Sequence, residues 1–514
     1  MIDGLGLEDV YGATIERIKA QGGDKSRLGM GALMWICHTE RPLSPDELCH
    51  ALAIELGSTD FNASNIPSIM TLVSCCQGLI TTDKGTSTVR LIHFTLREYL
   101  SAHPDIFCRP HSAIAEICLT YLNSHQVKAL SADSRQVKAL AADPWTALAA
   151  LIDDNPLLKY SSLHWGVHAK KELSECAASL ALQLFTEYDS HISVALLVAS
   201  TGFRPDIYTG SLWSALHCAS HFGIVEVVDA LIKTGYYDLN EGNCWGYTAL
   251  SLAAEKGHEG VVKLLLKQEE VNPDKPDRGG RTPLSYAAES GDEGVVKILL
   301  AQEKVDPDKL DNYGRTPLSH AAESRHEEVV KILLGQEKVN PDESDHRGRT
   351  SLSRAAQSGD ERILKVLLGR EGVNPDKPDI GGRTPLSHAA SYGREGIVNT
   401  LLGQEKVNPD KPDHLGRTPL SHAALSGDER IVKMLLGREE VNPDRPDNGG
   451  RTPLSYAAQA GHEGVVKILL ARGDVNPNKP ENGGQTPLVI ADRWDRRGVI
   501  ALLRSHEAVA HSAT

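Results

Sequence analysis

Apolar and polar residues in the last three-fifths of the chain follow a pattern that returns every 34 residues. A typical unit, Gly280 to Leu300, reads GRTPLSYAAESGDEGVVKILL. A fixed period of this size is typical of a stacked array, in which each unit buries its apolar face against its neighbours. The pattern therefore predicts nine repeats, which open at Ser214, Thr248, Thr282, Thr316, Thr350, Thr384, Thr418, Thr452 and Thr486.

Each unit predicts two helices and a loop. Thr282 can cap a first helix, and Pro283 is tolerated at its first position. The twin alanines after them leave room for the next unit, and Gly291 marks a turn that needs a positive φ. The run VVKILL then gives a second helix with a wide apolar stripe. The following VNPDKPD excludes a helix and favours a hairpin-like finger.

Arg325 departs from this pattern, because it stands in the fourth repeat where other units have the turn glycine. An L-residue with positive φ costs about 1 kcal/mol. We therefore predict a soft spot in the fourth repeat, and we expect Arg325→Gly to change the unfolding midpoint.

Residues 1–105 predict a small α+β unit. Helical spacing and the helix-start signal Ser44-Pro45-Asp46-Glu47 are followed by two short β-like runs. Three helices followed by a hairpin is the order of a winged helix. The predicted elements are helices Tyr11–Ala20, Arg27–Cys37, Glu47–Glu55 and Ile66–Cys76, and strands Leu79–Thr82 and Thr88–Phe94.

The remaining boundaries follow from the same patterns. Residues 106–179 predict a helical connector, in which QVKALSAD recurs ten residues later as QVKALAAD and lengthens a surface helix or loop. Residues 180–213 predict a helical cap, and 214–503 the repeats. In the last repeat Asp492, Asp495 and Arg504 replace apolar or glycine positions, as a terminal cap requires. Residues 504–514 then form a tail, expected to fray from His506 onward.

Composition narrows the function. The chain has 514 residues, 40% hydrophobic and only 5% aromatic, with a formal net charge of −14. Nucleic acid and anionic membranes are bound through excess Lys and Arg, so neither is an expected partner. The N-terminus lacks an apolar signal region. Nine cysteines without a C-x-x-C pair predict reduced thiols in a cytoplasmic protein.

The repeats resemble the ankyrin repeat family, on the T-P-L opening, the twin alanines and the finger. The fold class that this resemblance implies is mainly α, an ankyrin-repeat solenoid preceded by a winged-helix-like unit and a helical connector. Most units have serine where the family has histidine, and only His217 keeps it. Family members bind protein partners on the face formed by the fingers and first helices.

The N-terminal part resembles a second family. The segment from Gly29 to Ile80, with VRLIHFTLREYL after it, is similar to the winged-helix segment that follows the NACHT nucleotide switch in fungal NLR-like ankyrin proteins. That resemblance implies intracellular recognition coupled to signalling. No G-x-x-x-x-G-K-[ST] is present, so nucleotide switching is not carried over.

No motif predicts an enzyme, a cofactor or a metal site. Gly85-Thr86-Ser87-Thr88-Val89 approaches G-x-S-x-G but lacks the last glycine and lies in a predicted hairpin. Zinc ligation at Cys37–His38 and Cys49–His50 fits no standard spacing. The column His320, His388 and His422 interchanges with tyrosine and arginine in other repeats, which favours a contact surface over a ligand set.

Comparison of the nine units with one another predicts the binding residues. Their scaffold positions hardly change, whereas the finger tips and one face of the first helix do. Drift of exposed residues is the alternative. The lysines of the second helix stay the same apart from Asn399, which argues against drift, although recent duplication of the repeats also explains that uniformity. The predicted partner-binding residues are Tyr286, Glu289, Ser290, Asn312, Tyr313, His320, His346, Arg347, Arg354, His388, Tyr392, His414, His422 and Tyr456.

These observations favour a non-catalytic scaffold that binds a protein partner of unknown identity. Two alternatives stay open. One is a DNA-associated regulator, although the predicted recognition helix IPSIMTLVSCCQG contains no Lys or Arg. The other is a truncated, inactive relative of a NACHT receptor.

Overall fold

The computed structural model describes residues 7–58, 61–83, 85–130, 151–186, 191–200 and 213–512. Lys84, at the tip of the predicted hairpin, lies outside these ranges. Most of the tandem duplication predicted at 126–143 also lies outside them. The chain forms two compact units, Met1–Val271 and Asn272–Thr514. Among the described residues, no helix has the length and apolar character needed to cross a membrane.

The N-terminal part of the first unit has four α-helices before its hairpin. The two strands pair antiparallel, with Ile80 opposite Leu91 and Asp83 opposite Thr88. Side chains such as Ile18, Leu33 and Trp35 form its core. The elements are helices Leu7–Ala20, Gly23–His38, Pro45–Ala53 and Ile69–Cys75, strands Ile80–Asp83 and Thr88–Leu91, helix Phe94–Ala102, and short 3₁₀ turns at Ala63–Asn65 and Pro104–Ile106.

The predicted helix starts were only partly right. At Ser44 the prediction is confirmed by a capping box, in which Ser44 Oγ accepts from Glu47 N at 3.1 Å and Glu47 Oε2 accepts from Ser44 N at 2.8 Å. The prediction of a helix from Ile66 was wrong. Pro67 disfavours helical geometry at the residue before it, and Ser68 caps the helix that follows.

Further along the described residues of the first unit lie the helices Pro110–Asn123, Pro156–Lys171, Glu175–Phe185 and Ile192–Ser200. The second of them packs closely against the first repeat. Gly166 leaves space for the ring of Phe222, which lies 2.2 Å from where a Cβ would stand. The indole of Trp165 is buried beside the same ring, with a centroid separation of 5.2 Å. The connector therefore covers the start of the repeats.

All nine repeats have the predicted pair of helices. Repeats one and two lie in the first unit and repeats three to nine in the second. In order, the pairs are Ala215–Phe222 and Val225–Lys233, Ala249–Glu255 and Glu259–Leu265, Pro283–Ser290 and Glu293–Leu300, Pro317–Ser324 and Glu327–Leu334, Ser351–Ser358 and Glu361–Leu368, Pro385–Ser391 and Glu395–Leu402, Pro419–Ser426 and Glu429–Leu436, Pro453–Ala460 and Glu463–Leu470, and Pro487–Arg493 and Arg497–Ser512.

The cap, the twin alanines and the turn glycine of the repeat have the structures that the sequence predicts. Thr282 Oγ1 accepts from Ser285 N as an N-cap, and Ala287 and Ala288 are fully buried. The turn at Gly291 has φ 84°. Arg325 also has a positive φ, of 67°, so the strained backbone predicted for the fourth repeat is confirmed.

The residue after the turn plays one of two roles. His326 Nε2 donates to the carbonyl of Glu289 in the preceding repeat at 3.0 Å, and Arg394 Nε does the same to Gln357 at 3.2 Å. Asp360 instead caps its own second helix, accepting from Arg362 N at 3.0 Å. One position thus serves either as a link between repeats or as a helix cap.

The C-terminal end differs from the expected tail. Asp492, Asp495 and Arg504 are exposed, as a terminal cap requires. The last helix, however, runs from Arg497 to Ser512. Residues 504–512 therefore extend that helix, where the sequence predicts a tail that frays from His506 onward.

Candidate binding face of the repeats

Six of the fingers are built around one aspartate that precedes the tip. Asp379 Oδ1 accepts from Gly381 N at 2.8 Å and from Arg383 N at 2.9 Å, and Asp379 N donates to the Arg383 carbonyl at 2.9 Å. Asp and Asn favour such turns because their side chains bond the backbone two residues on. The equivalent aspartates are Asp277, Asp311, Asp345, Asp413 and Asp447.

Consecutive fingers are joined by main-chain hydrogen bonds. Ile380 N donates to the Arg347 carbonyl at 2.8 Å, His414 N to that of Gly381 at 2.9 Å, and Asn448 N to that of Leu415 at 2.9 Å. The tip of one finger is thereby fixed against the next. We call the surface formed by these tips and the exposed ends of the first helices the finger face.

Six of the predicted binding residues are buried, with exposures of 8% or less. Their polar atoms point back to the aspartate of their own finger: His388 Nε2 lies 3.0 Å from Asp379 Oδ2, and the Tyr456 hydroxyl donates to Asp447 at 2.5 Å. The expectation that this column is an exposed contact surface was wrong. The six residues are Tyr286, His320, Arg354, His388, His422 and Tyr456.

This arrangement explains why histidine, tyrosine and arginine interchange at one position. Each of these residue types brings an N–H or O–H donor to the equivalent aspartate of its own finger. The three histidines bond separate aspartates, so they do not form a common ligand set. In repeats three to eight, the column holds the finger to its first helix.

The electrostatics follow from these bonds. Burial by itself raises the pKa of Asp311, but hydrogen bonds from His320 and from the amides of Arg315 and Tyr313 bring the pKa well below its ordinary value. Burial lowers the pKa of His320, against the opposing effect of Asp311. The pair is therefore a neutral imidazole that donates to an ionised carboxylate at neutral pH.

The other eight predicted residues are exposed on the finger face. They are Glu289, Ser290, Asn312, Tyr313, His346, Arg347, Tyr392 and His414. Tyr313 is 66% exposed and Tyr392 50% exposed, unusually high values for aromatic side chains. Tyr392 also accepts a hydrogen bond at its hydroxyl from Gln357 Nε2 at 2.8 Å, across neighbouring repeats.

A cleft of about 530 Å³ lies on the finger face of repeats five to seven. Apolar side chains stand open at its edge, with Ile380 67% and Leu415 57% exposed. Four arginines line it, against a single acidic residue, Asp379. The lining residues are Arg347, Arg349, Gln357, Asp379, Ile380, Gly381, Arg383, His388, Tyr392, His414, Leu415 and Arg417.

Two of the four arginines are not compensated by a carboxylate. Arg349 pairs with Asp345 at 3.0 Å and Arg417 with Asp413 at 2.8 Å. Arg347 and Arg383 make no ion pair with any residue that the structure describes. The cleft is therefore locally basic, although the whole chain carries a net charge of −14.

Sequence reasoning missed Arg349, Arg383 and Arg417 as cleft residues. They belong to the Gly-Arg-Thr sequence that opens these repeats and recur every 34 residues, so a search for changing positions passes over them. Their regular spacing was the available signal, because side chains at equal positions of a solenoid line up along one face.

Comparison with known proteins identifies the repeats. The geometry defines helix pairs joined by finger loops. The family model of ankyrin repeats, which itself comprises three copies of the repeat, matches six overlapping segments, at 182–277, 237–311, 269–345, 292–379, 352–447 and 439–512. These matches cover more than half of the chain, and the chain belongs to the ankyrin repeat family. Its repeats support a role as a scaffold for protein interactions.

Residues 17–108 match the model of the GPI inositol-deacylase winged helix domain. The four helices and the hairpin of this region are therefore a winged helix domain of that type. A search of curated proteins found no match to the chain.

Proposed function

We propose that this protein is a non-enzymatic recognition scaffold whose finger face binds an acidic, partly apolar segment of a protein partner. The observation that carries the proposal is the cleft of repeats five to seven. It combines the uncompensated Arg347 and Arg383 with the exposed side chains of Ile380, Tyr392 and Leu415. Exposed aromatic and arginine residues are the types that dominate binding energy at protein interfaces.

The charge of the cleft determines the partner's chemistry. Guanidinium groups bind carboxylates through paired N–H donors. The neighbouring side chains of Ile380 and Leu415 contribute to binding when an apolar side chain of the partner buries them. A segment that alternates Asp or Glu with Leu, Phe or Tyr satisfies both. The main-chain bonds between fingers present these side chains in a fixed order, so little ordering entropy opposes binding.

Selection of binding peptides tests the proposal. The full chain is used to select from a displayed library of random peptides, and the selected sequences are expected to be enriched in acidic and large apolar residues. The triple variant Arg347→Ala, Arg383→Ala, Tyr392→Ala should bind the selected peptides more than about tenfold more weakly, a loss of about 1.4 kcal/mol or more.

A charge-matched variant controls for the loss of two cations and one tyrosine. Arg362→Ala, Arg430→Ala, Tyr236→Ala removes the same residue types from exposed sites outside the cleft. Exposed ion pairs such as those of Arg362 and Arg430 contribute little stability, so this variant should fold and bind like the parent. Equal binding by both triple variants would exclude the cleft as the binding site.

We further propose that the protein acts in the cytoplasm, in the kind of recognition and signalling that its resemblance to fungal NLR-like ankyrin proteins implies. The presence of a GPI inositol-deacylase-type winged helix domain before ankyrin repeats supports this role. A fluorescent fusion of the full chain should distribute through the cytoplasm. Retention in the secretory pathway would contradict the proposal.

A further inference from the structure

Three potential metal ligands meet where the winged helix domain contacts the connector. Glu40 follows the helix Gly23–His38, His111 lies in the first turn of the helix Pro110–Asn123, and His168 lies near the end of the helix Pro156–Lys171. One ligand atom from each residue falls within 4.8 Å of the other two. All three belong to the first compact unit.

The two imidazoles face each other directly. His111 Nδ1 lies 2.8 Å from His168 Nδ1. Two neutral imidazole nitrogens at this distance either share one proton or direct both lone pairs at one cation. Two nitrogen ligands of a tetrahedral Zn²⁺ stand about 3.3 Å apart, because each Zn–N bond is about 2.0 Å long. The rings need to separate by only about 0.5 Å to admit the ion.

Tyr160 holds His168 in the orientation that a metal requires. His168 is fully buried, and its Nε2 lies 2.8 Å from the Tyr160 hydroxyl. That hydroxyl also accepts from Glu40 N at 3.2 Å. A hydroxyl oxygen has two acceptor lone pairs, so Nε2–H can donate to the second one and leave the Nδ1 lone pair directed at His111. Metal-binding histidines are typically oriented by such an outer hydrogen bond.

Glu40 supplies the negative charge of the cluster, and its partly exposed side chain gives a metal ion access from solvent. Its side chain is 24% exposed, and one oxygen, Oε1, bonds the Lys171 ammonium at 2.6 Å. A metal ion would bind the carboxylate in competition with that ammonium.

We propose that Glu40, His111 and His168 bind one divalent transition-metal ion, with Zn²⁺ as the best fit, and that the ion joins the winged helix domain to the connector. Two imidazoles and one carboxylate are a ligand set that zinc accepts, whereas Mg²⁺ and Ca²⁺ prefer oxygen ligands alone. The fourth position is open to water.

Cobalt binding tests the proposal. The full chain is stripped with EDTA and titrated with Co²⁺, whose visible absorption reports tetrahedral coordination in place of spectrally silent Zn²⁺. The parent protein should bind one equivalent, which Zn²⁺ then displaces. Glu40→Gln and His111→Gln should each weaken binding by about 100-fold or more, and His125→Gln, at an exposed histidine outside the cluster, should leave it unchanged.

Tyr160→Phe separates a positioning role from a structural one. It keeps the ring but removes the hydroxyl that orients His168, and it should weaken Co²⁺ binding by about 10–100-fold. Zn²⁺ should raise the unfolding midpoint of the parent protein but not of Glu40→Gln, since a ligand stabilises only the state that binds it.

Two results would overturn the proposal. One is equal Co²⁺ affinity of the parent protein and Glu40→Gln, whose partly exposed side chain tolerates the change. The other is a spectrum dominated by thiolate charge-transfer bands, which would assign the metal to exposed cysteines such as Cys108 and Cys176. Circular dichroism shows whether His111→Gln is folded, and Glu40→Gln decides the question if it is not.

Discussion

Arg354 Nη2 lies 2.6 Å from Asp345 Oδ2, and both side chains are almost completely buried. The arginine takes the place that histidine or tyrosine holds in other repeats, and it ties the finger of the fifth repeat to its first helix. A residue that changes from repeat to repeat is thus part of the framework, because the requirement at this position is a hydrogen-bond donor rather than one residue type.

Arg354→Ala should destabilise the protein by about 1–3 kcal/mol, the range for leaving a buried polar group without its partner. The cost stays below that of a fully uncompensated buried charge because Arg349 and two backbone amides still face Asp345. Arg354→His, the residue of repeats four, six and seven, should lose less than half as much. Denaturant unfolding measures both, and equal losses would show that donation to Asp345 is not the requirement.

Arg325 combines backbone strain with a compensating contact. Its φ is 67°, and its Nη2 donates to the Ser358 carbonyl of the next repeat at 2.5 Å. Arg325→Gly removes both effects, so we expect the gain in stability to be smaller than the strain alone. Arg325→Ala keeps the strain and loses the contact, and it should be less stable than Arg325→Gly by about 1 kcal/mol. Equal unfolding midpoints for the two variants would rule out the strain.

Two aspartates of the fourth repeat should respond oppositely to pH. Burial raises the pKa of Asp308, despite a hydrogen bond from Asn340 N, and its Oδ1 is buried without a hydrogen-bond partner among the described residues. The pKa of Asp311 is lowered overall. Ionised Asp308 therefore costs stability above its raised folded-state pKa, and the cost disappears as the pH falls below its unfolded value. Ionised Asp311 adds stability above its unfolded pKa, and this is lost as the pH falls through its folded one.

Asp308→Asn should accordingly raise the unfolding midpoint at pH 7.5. This gain should shrink towards pH 4, which lies within roughly one unit of the ordinary pKa of Asp. Asp311→Asn should lower the midpoint at pH 7.5, and its deficit should persist towards pH 4, because the stability that ionised Asp311 adds is lost only as the pH falls through its lowered folded-state pKa. Thermal unfolding between these pH values measures both variants. A destabilised Asp308→Asn at pH 7.5 would contradict the assignment of a raised pKa.

Removal of the helix cap at Asp360 and removal of the inter-repeat hydrogen bond at Arg394 should speed amide exchange in different segments. Asp360→Ala removes the N-cap of the second helix in repeat five, at a cost of about 1 kcal/mol, and should speed amide exchange at Arg362 and Ile363. Arg394→Ala removes the bond to the Gln357 carbonyl and should speed exchange at the contact of repeats five and six. Hydrogen exchange measured by mass spectrometry resolves the two segments. Identical exchange patterns would show that the position has one role only.

Most of the repeat fold follows from the sequence, because its signals are local. Thr282, the twin alanines and Gly291 each specify a cap, a close approach or a positive φ within a few residues. The same is true of the capping box at Ser44. Two helix ends were predicted less well. At Ile66 the local effect of Pro67 on the residue before it was overlooked, and at the C-terminus the last helix continues to Ser512.

The binding face shows the same division. The sequence identified the finger tips, since changing residues mark them, and Tyr313, Arg347 and Tyr392 are exposed there. It could not separate them from His320 or Arg354, which change as freely but are buried. A 34-residue period gives the position along the array. It does not say which way a side chain turns.

The sequence by itself determined that this is a winged helix domain followed by nine ankyrin repeats, because periodicity and capping residues act over short distances. Only the tertiary structure decided that the variable column bonds the finger aspartates, that the arginines of one motif line a cleft, and that Glu40, His111 and His168 meet. Those relationships join residues from different elements, so no local pattern encodes them.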